Sequence, residues 1–256
     1  MNITLNAVLF AAVLFAGMLA AQELGLRAGR RRLAAEGEAS RSGVGAIDGA
    51  VFGLMGLLVA FTFSGAASRF DARRHLVVQE ANDIGTAYLR LDLLPPAAQP
   101  RLRDLFRRYV DTRLEGYRRI PDVEAAGEAF SRAERLQREI WTASVETARE
   151  APQATMLLLP AINSMIDVTT NRTVALQTHP PLLVFVMLGF LALASAVLAG
   201  YGMAGSKSRS LLHVVGFAAI LTITVYVILD YEFPRVGIIR LDPADHLLVD
   251  VRQSMR

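Results

Sequence analysis

The chain has 256 residues, of which 53% are hydrophobic, 20% are charged and none is cysteine, with a mean hydropathy of +0.35. That apolar share exceeds what soluble domains carry, and without thiols there are no disulfides, thiolate metal sites or cysteine nucleophiles. The net charge is only +3, and residues 69–172 balance 16 Arg against 15 Asp plus Glu, so no basic face invites nucleic acid.

The apolar excess lies in four runs free of Asp, Glu, Lys and Arg: Met1–Gln22, Gly49–Ser68, Thr173–Ser206 and Ser210–Leu229. Each is long enough for a helix to cross a bilayer, and spans are expected at about 3–22, 47–67, 181–203 and 211–229. The first run is read as a span rather than a cleaved leader, because no basic residue precedes it. The second has no proline from Gly49 to Asn82. One helix is therefore expected to pass from an uncharged stretch into Arg69, Asp71, Arg73, Arg74, Glu80 and Asp83. Within its apolar part, Gly49, Gly53, Gly56, Ala60 and Gly65 alternate with Leu57, Phe61 and Phe63. Small residues let helices approach closely in lipid. Large apolar residues four apart either pack against neighbours in the same way or face a symmetric axis as a constriction.

Beyond Pro95-Pro96 the pattern is helical. Leu102, Leu105, Phe106, Tyr109, Val110, Leu114 and Tyr117 form one stripe over 101–119. Ile120-Pro121-Asp122 stops that helix and caps the next, 123–150, with Ala129, Phe130, Ala133, Leu136, Ile140 and Trp141 inward. A last helix, about 153–178, carries Pro160 and a kink. The tail after Asp230 reads as irregular, then as a short amphipathic turn at Leu247 and Leu248. The expected organisation is two spans joined by an Arg-rich loop over 1–68, a helical soluble domain over 69–179, two spans over 180–230 and a tail over 231–256. The fold class is all-α, a four-span membrane protein with a helical domain inserted between spans two and three.

Chemistry-bearing patterns are few. His75, His179, His213 and His246 have no second histidine at metal-ligand spacing. No Gly-rich phosphate loop, nucleophile elbow or paired carboxylate is found, so no enzyme, cofactor or metal is expected. Arg69, Arg73 and Arg74 read as anchors at the membrane boundary or as a ring concentrating anions at a pore mouth. Glu80, Asn82 and Asp83 read as an ion-coordinating cluster or as caps and ion-pair partners within the helical domain. Charge bias gives two answers on orientation. Arg27, Arg30, Arg31, Arg32, Arg41, Lys207 and Arg209 in the two short loops place the middle domain outside the cytoplasm, against six arginines that flank that domain and follow the last span.

The run from Leu58 to Arg73, with Phe61-Thr62-Phe63-Ser64-Gly65 and then Arg69-Phe70-Asp71-Ala72-Arg73, resembles the second membrane helix of bacterial bestrophins. Its continuation from Glu80 through Asn82, Asp83 and Arg90 to Pro95 resembles a bestrophin-like family of bacterial membrane proteins of uncharacterised function, the DUF4239 type. Residues 23–31 (Glu-Leu-Gly-Leu-Arg-Ala-Gly-Arg-Arg) and the Asp230–Gly237 tail are similar to the same family. The resemblance implies a pentameric ion channel in the bacterial inner membrane, with lipid, inorganic ions and further copies of itself as partners. By position Phe61, Leu57 and Gly53 would form an apolar neck, with Ser64 and the arginines 69, 73 and 74 beyond it. Thr62 stands where bacterial bestrophins carry an Arg, Ala67 replaces an aromatic, and Gly53 offers no side chain. The resemblance also implies a cytoplasmic helical domain, against the loop charges. The alternative reading is a non-conducting scaffold or sensor whose helical domain binds a protein.

Overall fold

The computed structural model describes residues 3–36, 44–120, 122–206, 210–235 and 237–255. Arg41, Pro121, Lys207 and Arg209 lie outside them. The described residues form eight α-helices and no strand: α1 (Ile3–Glu36), α2 (Val44–Leu89), α3 (Gln99–Arg119), α4 (Val123–Ala148), α5 (Pro152–Gln177), α6 (Leu182–Gly202), α7 (Leu211–Glu232) and α8 (Asp242–Ser254). Four helices are long and apolar enough to cross a membrane, and they include α1, α2, α6 and α7. The chain divides into two compact units, Met1–Ser68 with His179–Phe233, and Arg69–Thr178 with Pro234–Arg256.

In the first unit α1, α6 and α7 pack around Leu14, Met18, Leu188, Ala192, Ala196, Ala218, Val225 and Ile228. Glycines set how closely α1 and α6 meet. A Cβ on Gly25 would lie 1.9 Å from the Val197 carbonyl oxygen, one on Gly200 would lie 2.0 Å from that of Gln22, and one on Gly29 would lie 2.6 Å from the Ala204 Cβ. This is the small-residue packing by which helices associate in lipid, and it gives the glycines of residues 23–31 a physical role. It also accounts for the length of α1, which runs to Glu36 rather than stopping near residue 22. The backbone at Gly25 and Gly29 is held against α6, and Glu23 pairs with Arg27 at 2.7 Å on the outer face. At the other end of the bundle Glu232 is fully buried. His179 Nδ1 lies 3.5 Å from its carboxylate, and the His179 ring stacks on Phe233.

The 46 residues of α2 form one helix with no break at Arg69. About 20 residues suffice to span the hydrocarbon core, so the uncharged Gly49–Ser68 stretch is the spanning part and the charged remainder extends beyond it. In the first unit α2 has little packed against it. Phe52 meets Phe217 edge-on, Phe63 meets Tyr231 likewise, and only Met55 and Ala66 of the stretch are buried.

The second unit is a helical domain. Every residue of the α3 stripe from Leu102 to Tyr117 is buried, packed with Ile84, Leu91, Ile140, Leu158, Ile162 and Met165. Asp122 caps α4, its side chain accepting from the Ala125 amide at 3.1 Å. Gly116 brings α3 against α4, since a Cβ there would lie 2.5 Å from the Phe130 ring. Two expectations need correction. Trp141 is 38% exposed rather than inward: it follows the buried Ile140 and lies on α4 beside a shallow groove with Ile166 and Thr169. The tail is no short turn but a 13-residue helix. Leu248 of that helix and Met255 just past its end enter the core, and Arg252 bridges Asp111 at 2.8 Å. The proline in its first turn lacks an N–H that the helix start would leave unbonded in any case.

Candidate functional site

At 3.6 residues per turn, Gly53, Leu57, Phe61 and Ser64 fall within about 80° of one another on α2. The structure leaves all four exposed within the chain, Leu57 at 53% and Phe61 at 68%. A Cβ on Gly49, Gly53 or Gly56 would meet nothing within 4 Å. The contrast with the other spans is large: 6% of the most apolar stretch of α2 is buried, against 28% in each of the others. Thr62 does not face that stripe as a polar group, because its hydroxyl donates back to the carbonyls of Leu58 at 2.7 Å and Val59 at 3.1 Å.

The three arginines beyond the span separate. Arg74 is exposed and Arg69 half-buried. Arg73 is buried, with Nε donating to Ala175 O at 3.0 Å and Nη2 to Thr178 O at 2.9 Å. It therefore caps the end of α5, where the last carbonyls have no partner in the helix and the dipole favours a cation. A mouth ring built on this stretch would thus draw on Arg69 and Arg74, with Arg73 turned inward.

Glu80, Asn82 and Asp83 are not gathered into one cluster either: Glu80 points into the helical domain, Asn82 points out, and Asp83 lies between them. Among the described residues no group of three His, Asp or Glu is placed to hold a metal ion. Arg90 instead donates to the Leu157 carbonyl of α5.

Glu80 is the centre of a different assembly. Arg113 Nε donates to Oε1 at 2.7 Å, Arg172 Nη1 donates to Oε2, and the Tyr117 hydroxyl donates to Oε2 at 3.1 Å. Burial pushes this carboxyl up, but the Arg113 and Arg172 guanidiniums outweigh it and hold Glu80 at about 2 against an ordinary 4.5. Burial raises Tyr117, which keeps its proton to donate. Arg172 and Arg235 both lie over the Tyr117 ring, at 4.1 and 4.7 Å. Arg235 grips Asp245 through two bonds of 2.8 and 3.1 Å. The network thus joins α2, α3, α5 and the C-terminal segment in one charged core. Sequence reasoning missed Arg113, Arg172, Arg235 and Asp245. One signal was present: Arg113 interrupts the buried α3 stripe, four residues from both Tyr109 and Tyr117.

These features define a multi-pass helical membrane protein whose second span continues into a helical domain. The family model described as Bestrophin-like domain matches residues 12–245, and the chain belongs to the bestrophin-like family. No curated protein and no solved structure matches it.

Proposed function

We propose that the protein is a homo-oligomeric ion channel of the bestrophin-like kind, pentameric, in the bacterial inner membrane, with α2 around the axis. Gly53, Leu57 and Phe61 line an apolar neck, and Ser64, Arg69 and Arg74 follow it. The observation that carries this reading is the bare face of α2. Three spans of the chain pack on one another, whereas the fourth presents glycines with open space beside them and the exposed side chains of Leu57 and Phe61 on one face. Such a face fits helix association in lipid, and a ring of Leu57 and Phe61 side chains would close to ions by dewetting.

The test is the subunit count of detergent-purified protein by native mass spectrometry, followed by ion flux from liposomes. A uniform pentamer with flux raised by Phe61→Ala and Leu57→Ala supports the channel. A monomer leaves no axis for α2 to line.

The second reading, a scaffold or sensor whose helical domain binds a protein, is favoured by exposed Trp141 beside the groove with Thr142, Ile166, Thr169 and Thr170. It requires silent liposomes and loss of a partner from pull-downs on Trp141→Ala.

A further inference from the structure

Two arginines of the charged core share one carboxylate. Glu80 answers both Arg113 and Arg172, while Asp245, 3.8 Å from Arg172 Nη2, takes two bonds from Arg235. Arg113 gives Nε to Glu80 and Nη2 to the Tyr117 hydroxyl, and its Nη1 has no hydrogen bond among the described residues. Arg172 gives Nη1 to Glu80, and its Nε and Nη2 have none. These three nitrogens are not sealed in the core. The side chains of Arg113 and Arg172 keep 8% and 5% of their surface, and both line one cavity of about 340 Å³ between α4 and α5.

Gln137 of α4 lines the same cavity and is 7% exposed. Its Nε2 donates to the Tyr109 hydroxyl at 3.1 Å and to the Thr169 hydroxyl at 3.3 Å. Thr169 spends its single hydroxyl proton on the Ile166 carbonyl at 2.7 Å. Towards Gln137 it can only accept, and this fixes which way the amide points. Oε1 is then an acceptor with no bond, and it is not closed off from solvent. Glu134, three residues earlier on the same face of α4, brings an exposed carboxylate to the rim. It has no ion-pair partner among the described residues.

The cavity thus has guanidinium N–H groups at its base and an accepting, acidic wall along α4. Guanidinium groups present N–H pairs in the fork that matches a carboxylate. A simple anion would leave Gln137 Oε1 unanswered and would be repelled by Glu134. A simple cation would oppose the arginines. The ligand that meets both walls carries a carboxylate and an ammonium on neighbouring atoms. The volume lies within the roughly 300–1,000 Å³ of small-molecule sites. We propose that the cavity binds a free α-amino acid, its carboxylate on Arg113 and Arg172 and its ammonium donating to Gln137 Oε1 and Glu134. All of these residues belong to the helical domain, so the site stands whether or not α2 lines a pore.

The test uses the full chain, purified in detergent. Each common L-amino acid is added separately at millimolar concentration while the denaturation midpoint is followed. The most stabilising one is then titrated by calorimetry. Its analogue without the ammonium should bind about tenfold more weakly, the ratio that one charge-assisted hydrogen bond supplies. Its amide, without the carboxylate, should bind more weakly still, since it loses both guanidiniums. Glu134→Gln and Gln137→Met should each weaken the amino acid by a factor similar to the first. Glu134 is exposed, so its variant reports even where Gln137→Met fails to fold. No rise in midpoint with any amino acid, equal binding of either analogue, or an affinity unchanged by either substitution in folded protein would overturn the proposal and leave the two arginines as parts of the domain's own core.

Discussion

Glu80 receives Arg113 at 2.7 Å where both side chains are buried. Around that pair the helical domain holds Arg172, Arg235 and Asp245, three cations against two anions. Removing a partner from a buried ion pair leaves the other charge uncompensated, at a cost of about 3–5 kcal/mol. Glu80→Gln should therefore lower the denaturation midpoint of the purified protein sharply. Glu80→Asp, which keeps the charge, should recover part of the loss. A midpoint within a degree of wild type for Glu80→Gln would contradict the central role given to this carboxylate.

The same carboxylate sets an acid limit. Its value in the folded protein, about 2, lies below the ordinary 4.5, so the unfolded chain binds its proton more readily. Stability from Glu80 is then complete above about pH 4.5 and is lost as pH falls towards 2. Unfolding followed from pH 7 to pH 2.5 should show a decline confined to the acid end, and the Glu80→Gln variant should show a shallower one.

The glycines of α1 and α6 behave unlike those of α2. Gly25→Ala and Gly200→Ala each put a methyl group within about 2 Å of a backbone oxygen, and overpacking of this kind costs about 1–3 kcal/mol, occasionally more. A Cβ on Gly53 would meet nothing within 4 Å among the described residues beyond its own helix. Thermal unfolding should rank Gly25→Ala and Gly200→Ala well below Gly53→Ala. A Gly53→Ala variant that instead loses its oligomer would locate a neighbouring copy at that face.

A chain with no cysteine is already prepared for thiol scanning. Phe61→Cys and Leu57→Cys should react in liposomes with a small charged thiosulfonate, and ion flux should change on reaction. Buried Met55→Cys is the control that stays unmodified. If only a lipid-soluble maleimide labels residues 57 and 61, the face meets acyl chains and the pore reading falls.

Arg73 offers a smaller effect. Its two bonds to the last carbonyls of α5 resemble a helix C-cap, for which about 1–2 kcal/mol is reasonable in a buried setting. Arg73→Gln should speed protease cleavage near Thr178 while leaving oligomeric state intact.

The helices were legible because each carries a period that lipid or a core enforces. The four uncharged runs became α1, α2, α6 and α7, and the α3 stripe was buried residue for residue. The extent of α1 was not legible, because nothing in the local sequence shows that α6 packs against Gly25 and that the segment after α6 packs against Gly29. The tail helix was not legible either, since Leu248 and Met255 gain their packing from α3 and its neighbours. The charged core was half legible. Glu80 stood out, but its partners lie 33 and 92 residues away in sequence, and no local spacing announces such a pairing.

The helical domain closes on residues from both sides of two membrane helices. Arg172 and Tyr117 are made early, whereas Arg235 and Asp245 follow α6 and α7 in the chain. At roughly 5–20 residues per second, a ribosome takes several seconds to pass from Arg172 to Arg235. Throughout that interval Arg172 has Glu80 but not Asp245, and the groove for Leu248 has no occupant. The domain therefore waits, unfinished, while the last two spans enter the bilayer. A nascent chain whose final span fails to insert would keep an incomplete charged core exposed to proteases, so correct membrane entry and survival of the domain are tied to one event.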